Sequence, residues 1–182
     1  VEDEMVHHRS PGEFESWYRS EHPRIVASLA VTARDRDVAL EVAAEAFVRA
    51  YERWDRVGAM ERPGGWLHRT ALNLLKRRLR RRRLEGELLS GTIVPIGVGP
   101  TEVDVDLWRA VEALPDRTRT AVALRYVADL TEPEIAKAMG VSRGTVATLL
   151  SRGRNSLGDH LASSHGLPET AHEREEQSYV PH

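Results

Sequence analysis

Arg69, Asn73, Lys76, Arg77 and Arg80 recur at i, i+4, i+7, i+8 and i+11, a spacing that places all five on one side of a helix. No acidic residue lies among them. Like charges at i, i+4 spacing destabilise a helix by about 0.2–0.5 kcal/mol per pair, so a face of one sign is best explained by an anionic partner that relieves the repulsion. Guanidinium forks hold phosphate oxygens bidentately, and each phosphate neutralised releases counterions. Asn73 differs from its neighbours. Its carboxamide both donates and accepts, so it can pair with a base edge while the cations around it position the backbone. The plainer alternative is a solvated amide at a charged helix end. Against it stands a complete core stripe on the opposite side, formed by Trp66, Leu67, Thr70, Ala71, Leu74, Leu75 and Leu79.

A second stretch, Leu130 to Val146, carries helix-turn-helix punctuation. Thr131 caps a helix, Glu134 three residues on closes a capping box, and Pro133 is tolerated in the first turn. Ile135 and Met139 supply the buried face. Gly140 falls where the chain must leave the helix in a left-handed conformation, Val141 fills the angle, and Ser142 caps the next helix. That helix is expected over 143–157 with Val146, Leu150 and Leu157 inward. In the usual docking Arg143, Thr145, Ala147 and Thr148 enter the major groove, while Arg152 and Arg154 reach phosphates. An ordinary helical hairpin is the bland alternative.

These stretches need elements to hold them. The spacing of Phe14, Trp17 and Tyr18, and again of Phe47, Ala50, Tyr51 and Trp54, predicts two amphipathic helices, with Pro23 at a break or in a first turn. Residues 57–65 read as a Gly- and Pro-containing loop before a helix over 66–83. The pattern divides into a tail (1–12), a first helical domain (13–83), a linker (84–103), a second helical domain (104–161) and a tail (162–182). The net charge of −2 hides a segregation: nine basic and no acidic residues lie between Arg62 and Arg83, against five acidic and no basic residues from Leu84 to Trp108. The 182-residue chain has no cysteine, which excludes disulfides and thiolate metal sites. It has no apolar run near the ~20 residues of a membrane span and a polar start, so a soluble, cytoplasmic protein is expected. No phosphate-binding P-loop, His-Glu-x-x-His pair or G-x-S-x-G elbow is present, so no catalytic residue and no metal ligand is assigned. Trp54, Trp66 and Trp108 lie on apolar stripes and read as core.

Together the two stretches resemble the extracytoplasmic-function (group 4) sigma factors of the sigma-70 family, over about residues 13–161. Glu41 to Tyr51 is similar to the helix that binds the polymerase clamp. Trp66 to Asn73 is similar to the helix that reads the −10 promoter element. Ala113 to Arg119, Leu124 to Tyr126, Gly144 to Val146 and Arg152 resemble the domain that reads the −35 element. The resemblance implies an all-α fold of two small helical domains joined by an extended linker. It implies core RNA polymerase (β′ clamp helices and β flap) and promoter DNA as partners, with no cofactor, and it leaves open an anti-sigma factor. The implied polymerase contacts are Glu41, Ala44, Glu45, Phe47, Val48 and Tyr51. The implied −10 contacts are Arg62, Trp66, Arg69, Asn73, Lys76, Arg77 and Arg80, beside a loop from about Asp55 to Gly65 that pockets a flipped base. Ser142, Arg143, Thr145, Ala147, Thr148 and Arg152 are the implied −35 contacts. The linker is expected to thread the polymerase near its active cleft. Departures from the family pattern are Ala44 for Gln, Glu132 for an aromatic, and Ala147 and Leu149 for basic residues. They predict a second domain that relies on methyl contacts and phosphate anchoring. A free-standing helix-turn-helix regulator is the competing reading, and it leaves the first block unexplained.

Overall fold

The computed structural model describes residues 11–84 and 102–164, and among these every regular element is a helix. The first block contains α1 (Pro11–Ala33), α2 (Arg36–Tyr51), the single turn α3 (Trp54–Val57) and α4 (Pro63–Leu84). The second contains α5 (Glu102–Ala113), α6 (Asp116–Tyr126), α7 (Glu132–Met139) and α8 (Arg143–Ser164). Most of the expected linker and of both expected tails lies outside the described residues, and the linker's two ends are corrected: Leu84 closes α4, and Glu102 and Val103 open α5. The helices α1 and α8 reach into the stretches read as tails, to Pro11 and Ser164.

Two expectations about breaks are corrected. Pro23 neither breaks nor starts a helix, because α1 runs through it for 23 residues. A mid-helix proline forfeits one backbone bond at about 3 kcal/mol. Burial of Ile25, Val26, Leu29, Ala30 and Ala33 on the following turns opposes that cost. The helix read as starting at Trp66 begins at Pro63, so Pro63, Gly64 and Gly65 form its first turn rather than a loop. Proline suits this position because its missing N–H has no intrahelical partner there in any case.

The turn between α1 and α2 ties the first block together. Arg34 adopts a left-handed φ of 56° as α1 ends, and Asp35 caps α2 by accepting from the Val38 N–H at 2.9 Å. The same carboxylate accepts from Arg82 Nη1 at 2.9 Å, which fastens the far end of α4. Burial alone would raise the pKa of Asp35. The Val38 N–H and the Arg82 guanidinium outweigh it and hold the carboxyl below its usual range. On α2, Val38, Ala39, Val42, Ala43, Ala46, Phe47 and Ala50 form the buried stripe.

In the second block α5, α6 and α7 all pack on α8. Arg119, only 2% exposed, organises the α5–α6 corner. Its guanidinium donates to the Leu114 carbonyl at 2.7 Å and to Asp116 Oδ1 at 2.6 Å.

The two blocks pack against each other, α1 on α6 and α4 on α7. One buried cluster runs from Ile25, Leu29, Leu67 and Leu75 through to Leu124, Ile135, Val146 and Leu150. The sequence treats the blocks as separate units, yet here they share a core.

Candidate nucleic-acid interface

The basic side of α4 stands as the spacing predicts. Arg69, Asn73, Lys76, Arg77 and Arg80 are all exposed, and Leu67, Ala71, Leu74 and Leu75 are buried opposite them. Thr70, Trp66 and Leu79 are half-buried. His68 and Leu72 complete the buried side at 1% and 2% exposure, which the sequence reading missed. Their signal was present, since 67, 68, 71, 72 and 75 make an i, i+1, i+4, i+5, i+8 stripe. His68 Nδ1 pairs with the Gly64 carbonyl at 3.0 Å, securing the glycine-containing first turn. Burial pulls the pKa of His68 below its ordinary value, against weaker upward pulls from the Gly64 carbonyl and the Glu134 charge.

Beside that first turn lies a cleft of about 330 Å³, lined by Met60, Glu61, Arg62, Gly65, Trp66 and Arg69. Its volume is at the lower end of the ~300–1,000 Å³ typical of small-molecule sites. Cationic side chains, a half-buried indole and the absence of a Cβ at Gly65 suit a flat, polar, anionic-backboned ligand. The remaining wall comes from the second block, through Glu134 and Lys137 of α7. Glu134 was legible only as a capping residue. Its place in this wall joins positions 62 and 134 and has no local sequence signal.

The helix-turn-helix also has the expected local chemistry. The Thr131 N–H and hydroxyl donate to Glu134 Oε2 at 2.8 and 2.6 Å. Gly140 is left-handed at φ 72°, and both its N–H and that of Val141 return to the Ala136 carbonyl at 2.9 and 3.0 Å. Ser142 Oγ accepts from the Thr145 N–H at 3.1 Å. Arg143, Ala147, Thr148 and Arg152 are exposed on α8, while the half-buried Thr145 shares a hydroxyl pair with Ser142. Leu149 is corrected: it is 9% exposed and packs in the core beside Val146 and Leu150. A basic residue there would face apolar neighbours, so its absence says nothing about DNA contact.

On α2, Glu41, Ala44, Glu45, Val48 and Tyr51 are exposed, with Val48 and Tyr51 each 58% accessible. Leu40 extends that stripe at i, i+4, i+8 and i+11 and was missed. Phe47 is corrected as a surface contact: it is 4% exposed, with ring centres 4.6 Å from Tyr18 and 5.6 Å from Trp17. Glu41 pairs with Arg78, and Glu45 with Arg49 at 2.6 Å. A second concavity, an apolar groove of about 530 Å³, lies between α5, α6 and α8 and is lined by Leu107, Trp108, Val111, Tyr126 and Leu157, with Val31 of α1 on one side. Trp54 is core as expected, whereas Trp108 is half-buried in this groove.

Residues 17–85 match the family model described as Sigma-70 region 2, and residues 104–157 match Sigma-70, region 4. The chain is 32% identical over 138 residues to the ECF RNA polymerase sigma factor SigW of Bacillus subtilis, covering 66% of this chain and 74% of that protein. It is 30% identical over 169 residues to the RNA polymerase sigma-E factor of Streptomyces avermitilis, covering 91% and 93%. Among solved structures, the sigma factor RpoE in complex with the anti-sigma factor NepR from Bartonella quintana has the same fold, with a TM-score of 0.69 over 82% of this chain and 96% of that one at 22% identity.

Proposed function

The chain belongs to the sigma-70 family as an extracytoplasmic-function RNA polymerase sigma factor, and from that premise we propose how its residues divide the work. It binds core RNA polymerase and promoter DNA, and the catalytic chemistry of transcription is the polymerase's. We place it in the cytoplasm with that partner; among the described residues no helix is long and apolar enough to cross a membrane.

In our reading α4 engages the −10 element. Arg69, Lys76, Arg77 and Arg80 bind phosphates, Asn73 reads a base edge, and the cleft beside Gly65 and Trp66 receives a base extruded from the melted duplex. Extrusion costs a few kcal/mol, so the base needs a shaped polar site to hold it. The N-terminal turns of α8 (Arg143, Ala147, Thr148, with Arg152 on phosphate) engage the −35 element. The exposed α2 stripe of Glu41, Ala44, Glu45, Val48 and Tyr51 takes the polymerase clamp helices. The apolar groove of the second block is offered to the β flap, or to an inhibitor protein of the kind bound by the Bartonella relative.

The observation that carries this is the one-sign face of α4 with a single amide on it, next to a cleft. Run-off transcription with core polymerase and a −10 library tests it. Asn73→Ala is expected to change which −10 sequences are used, and Arg77→Ala to weaken all promoters alike. Equal, sequence-blind loss from both overturns the assignment.

A further inference from the structure

Further along α4, where it meets the end of α1 and the start of α6, the two halves share a cavity of about 280 Å³. Ala33, Leu72, Leu75 and Leu79 give it an apolar floor. Cations from three places line the same space: Arg34 just beyond α1, Lys76 of α4 and Arg119 of α6. Among the described residues one carboxylate joins them, that of Asp116, which accepts from Arg119 and is 75% exposed. Three cations against one carboxylate leave an excess of two positive charges in a partly apolar recess.

The two guanidinium groups of this cavity are poorly satisfied where they meet. Arg34 Nη2 donates to the Glu112 carbonyl, and Arg119 Nη1 reaches the same oxygen at 3.4 Å. Two like charges thus converge on one neutral acceptor. The Nε of each is buried and has no hydrogen-bond partner among the described residues. Arg119 is only 2% exposed, so solvent and salt do little to screen it. A buried lysine or histidine relieves such a conflict by losing its proton, but a guanidinium stays charged. Lys76, the third cation, reaches the Met139 carbonyl at 3.3 Å, a long bond that leaves the ammonium with donors to spare. The chemistry that relieves all three is an anion.

We infer that this cavity is a binding site for a small organic phosphate, whose phosphoryl group takes Arg34, Arg119 and Lys76 and whose apolar body lies on Leu72, Leu75 and Leu79. A phosphate monoester carries about −1.5 to −2 charge near pH 7 and three strong acceptor oxygens, which matches the excess charge and the number of cations. Guanidinium forks hold such oxygens bidentately. A monocarboxylate, or the phosphodiester of a nucleic-acid backbone, brings one charge and leaves half the excess unmatched. The volume lies just below the ~300–1,000 Å³ typical of small-molecule sites, so the body is a single ring or a short chain and not a polymer. Because the walls come from both halves, an occupant favours the arrangement in which they are packed together.

Titration of the full chain with phenyl phosphate, followed by calorimetry and by amide NMR, tests this, with inorganic phosphate and benzoate as the anion without a body and the body with a single charge. Phenyl phosphate is expected to bind saturably with a Kd below ~1 mM, about 10-fold or more tighter than either comparison compound. Its amide shifts should centre on residues 32–34, 72–79 and 116–120, the three stretches that line the cavity. Arg34→Gln removes one guanidinium and should weaken binding by about 10-fold or more. Position 34 has a left-handed backbone, so a second variant guards against loss of the fold. Thr120→Glu adds a carboxylate to the lining, keeps all three cations and should abolish binding. Four outcomes overturn the site: no binding of phenyl phosphate by the wild-type protein at ~10 mM, either comparison compound binding as tightly, shifts that follow the exposed side of α4 and leave 32–34 and 116–120 unmoved, or binding that Thr120→Glu leaves unchanged.

Discussion

Gly153 is where α8 passes closest to α6, and replacing it by alanine sets two effects of known size against each other. Gly153 is buried, and a Cβ placed there would lie 2.6 Å from Val122 Cγ2 and 3.2 Å from Thr118 Cγ2. Alanine is favoured over glycine in a helix interior by about 1 kcal/mol. Adding a methyl to a filled core costs about 1–3 kcal/mol, and here the neighbours are β-branched residues on a helix whose χ1 angles cannot swing away. The contact should win, giving a net loss of up to about 2 kcal/mol and a melting temperature lower by up to about 8 °C. Val122→Ala removes the obstructing methyl. In that background Gly153→Ala should be neutral or stabilising by up to about 1 kcal/mol, so the two changes are strongly coupled. Thermal and urea melts of the four proteins, followed by circular dichroism, measure this. The reasoning fails if Gly153→Ala has the same effect in both backgrounds, or stabilises the wild type, because α6 and α8 would then not approach as closely as the structure has them. The crossing also has a functional readout, since it sets the angle at which Arg143, Ala147 and Thr148 leave the domain. The single variant should weaken −35-dependent promoters more than others.

Three further outcomes are expected. Gly140→Ala should cost about 1–2 kcal/mol through backbone strain alone, since φ is 72° and nothing lies within 4 Å of the added Cβ; Gly140→Asn should cost less, and equal denaturation midpoints for all three proteins would contradict this. Arg119→Met should lose about 3 kcal/mol because it strips a buried carbonyl of its charged donor. Asp116→Asn should lose under about 1 kcal/mol because that carboxylate is 75% exposed, and chemical denaturation giving equal losses would refute the ranking. The pKa of His68 is lowered in the fold, so its contribution is fully present above the unfolded value of about 6.5 and is lost as pH falls through the lower folded value. Melting temperature should therefore decline from about pH 7.5 to about pH 5.5, and His68→Gln should flatten that decline; an unchanged slope would place the titration elsewhere.

What the sequence made legible follows from how local each interaction is. The helix-turn-helix could be read from Thr131, Glu134, Gly140 and Ser142 because each satisfies a backbone group within four residues of itself. The basic side of α4 was legible for a related reason: helical spacing sorts side chains by face before any tertiary contact forms. Phe47 and Leu149 were legible in principle and misassigned, since each belongs to an apolar stripe (43, 46, 47, 50 and 146, 149, 150, 157) that overrules its position in a family motif. Pro23 and the early start of α4 depend on tertiary packing, which overrides local propensity at breakers. The α7 wall of the cleft was out of reach. It joins Arg62 to Glu134 and Lys76 to Met139, and neither pair leaves a pattern in a single chain.

The polar contacts between the halves are too weak to hold them together unaided. Arg62 keeps 52% of its side chain in solvent, and Lys76 reaches a neutral carbonyl at 3.3 Å, so each is worth about 1 kcal/mol or less. Cohesion must come from the apolar surface that α1 shares with α6 and α4 with α7, and the charges then serve to set register. Arg143, Ala147, Thr148 and Arg152 are exposed on α8, whereas the cleft at the start of α4 takes one wall from α7. The apolar groove also joins the two halves, because Val31 supplies its α1 wall while Leu107, Trp108 and Leu157 come from the second block. The complete groove exists only while the halves are together. A ligand that needs Val31 must favour the arrangement in which the halves are packed together, and one that fills only the second-block side has no reason to discriminate, because a ligand shifts an equilibrium by no more than its difference in affinity for the two states.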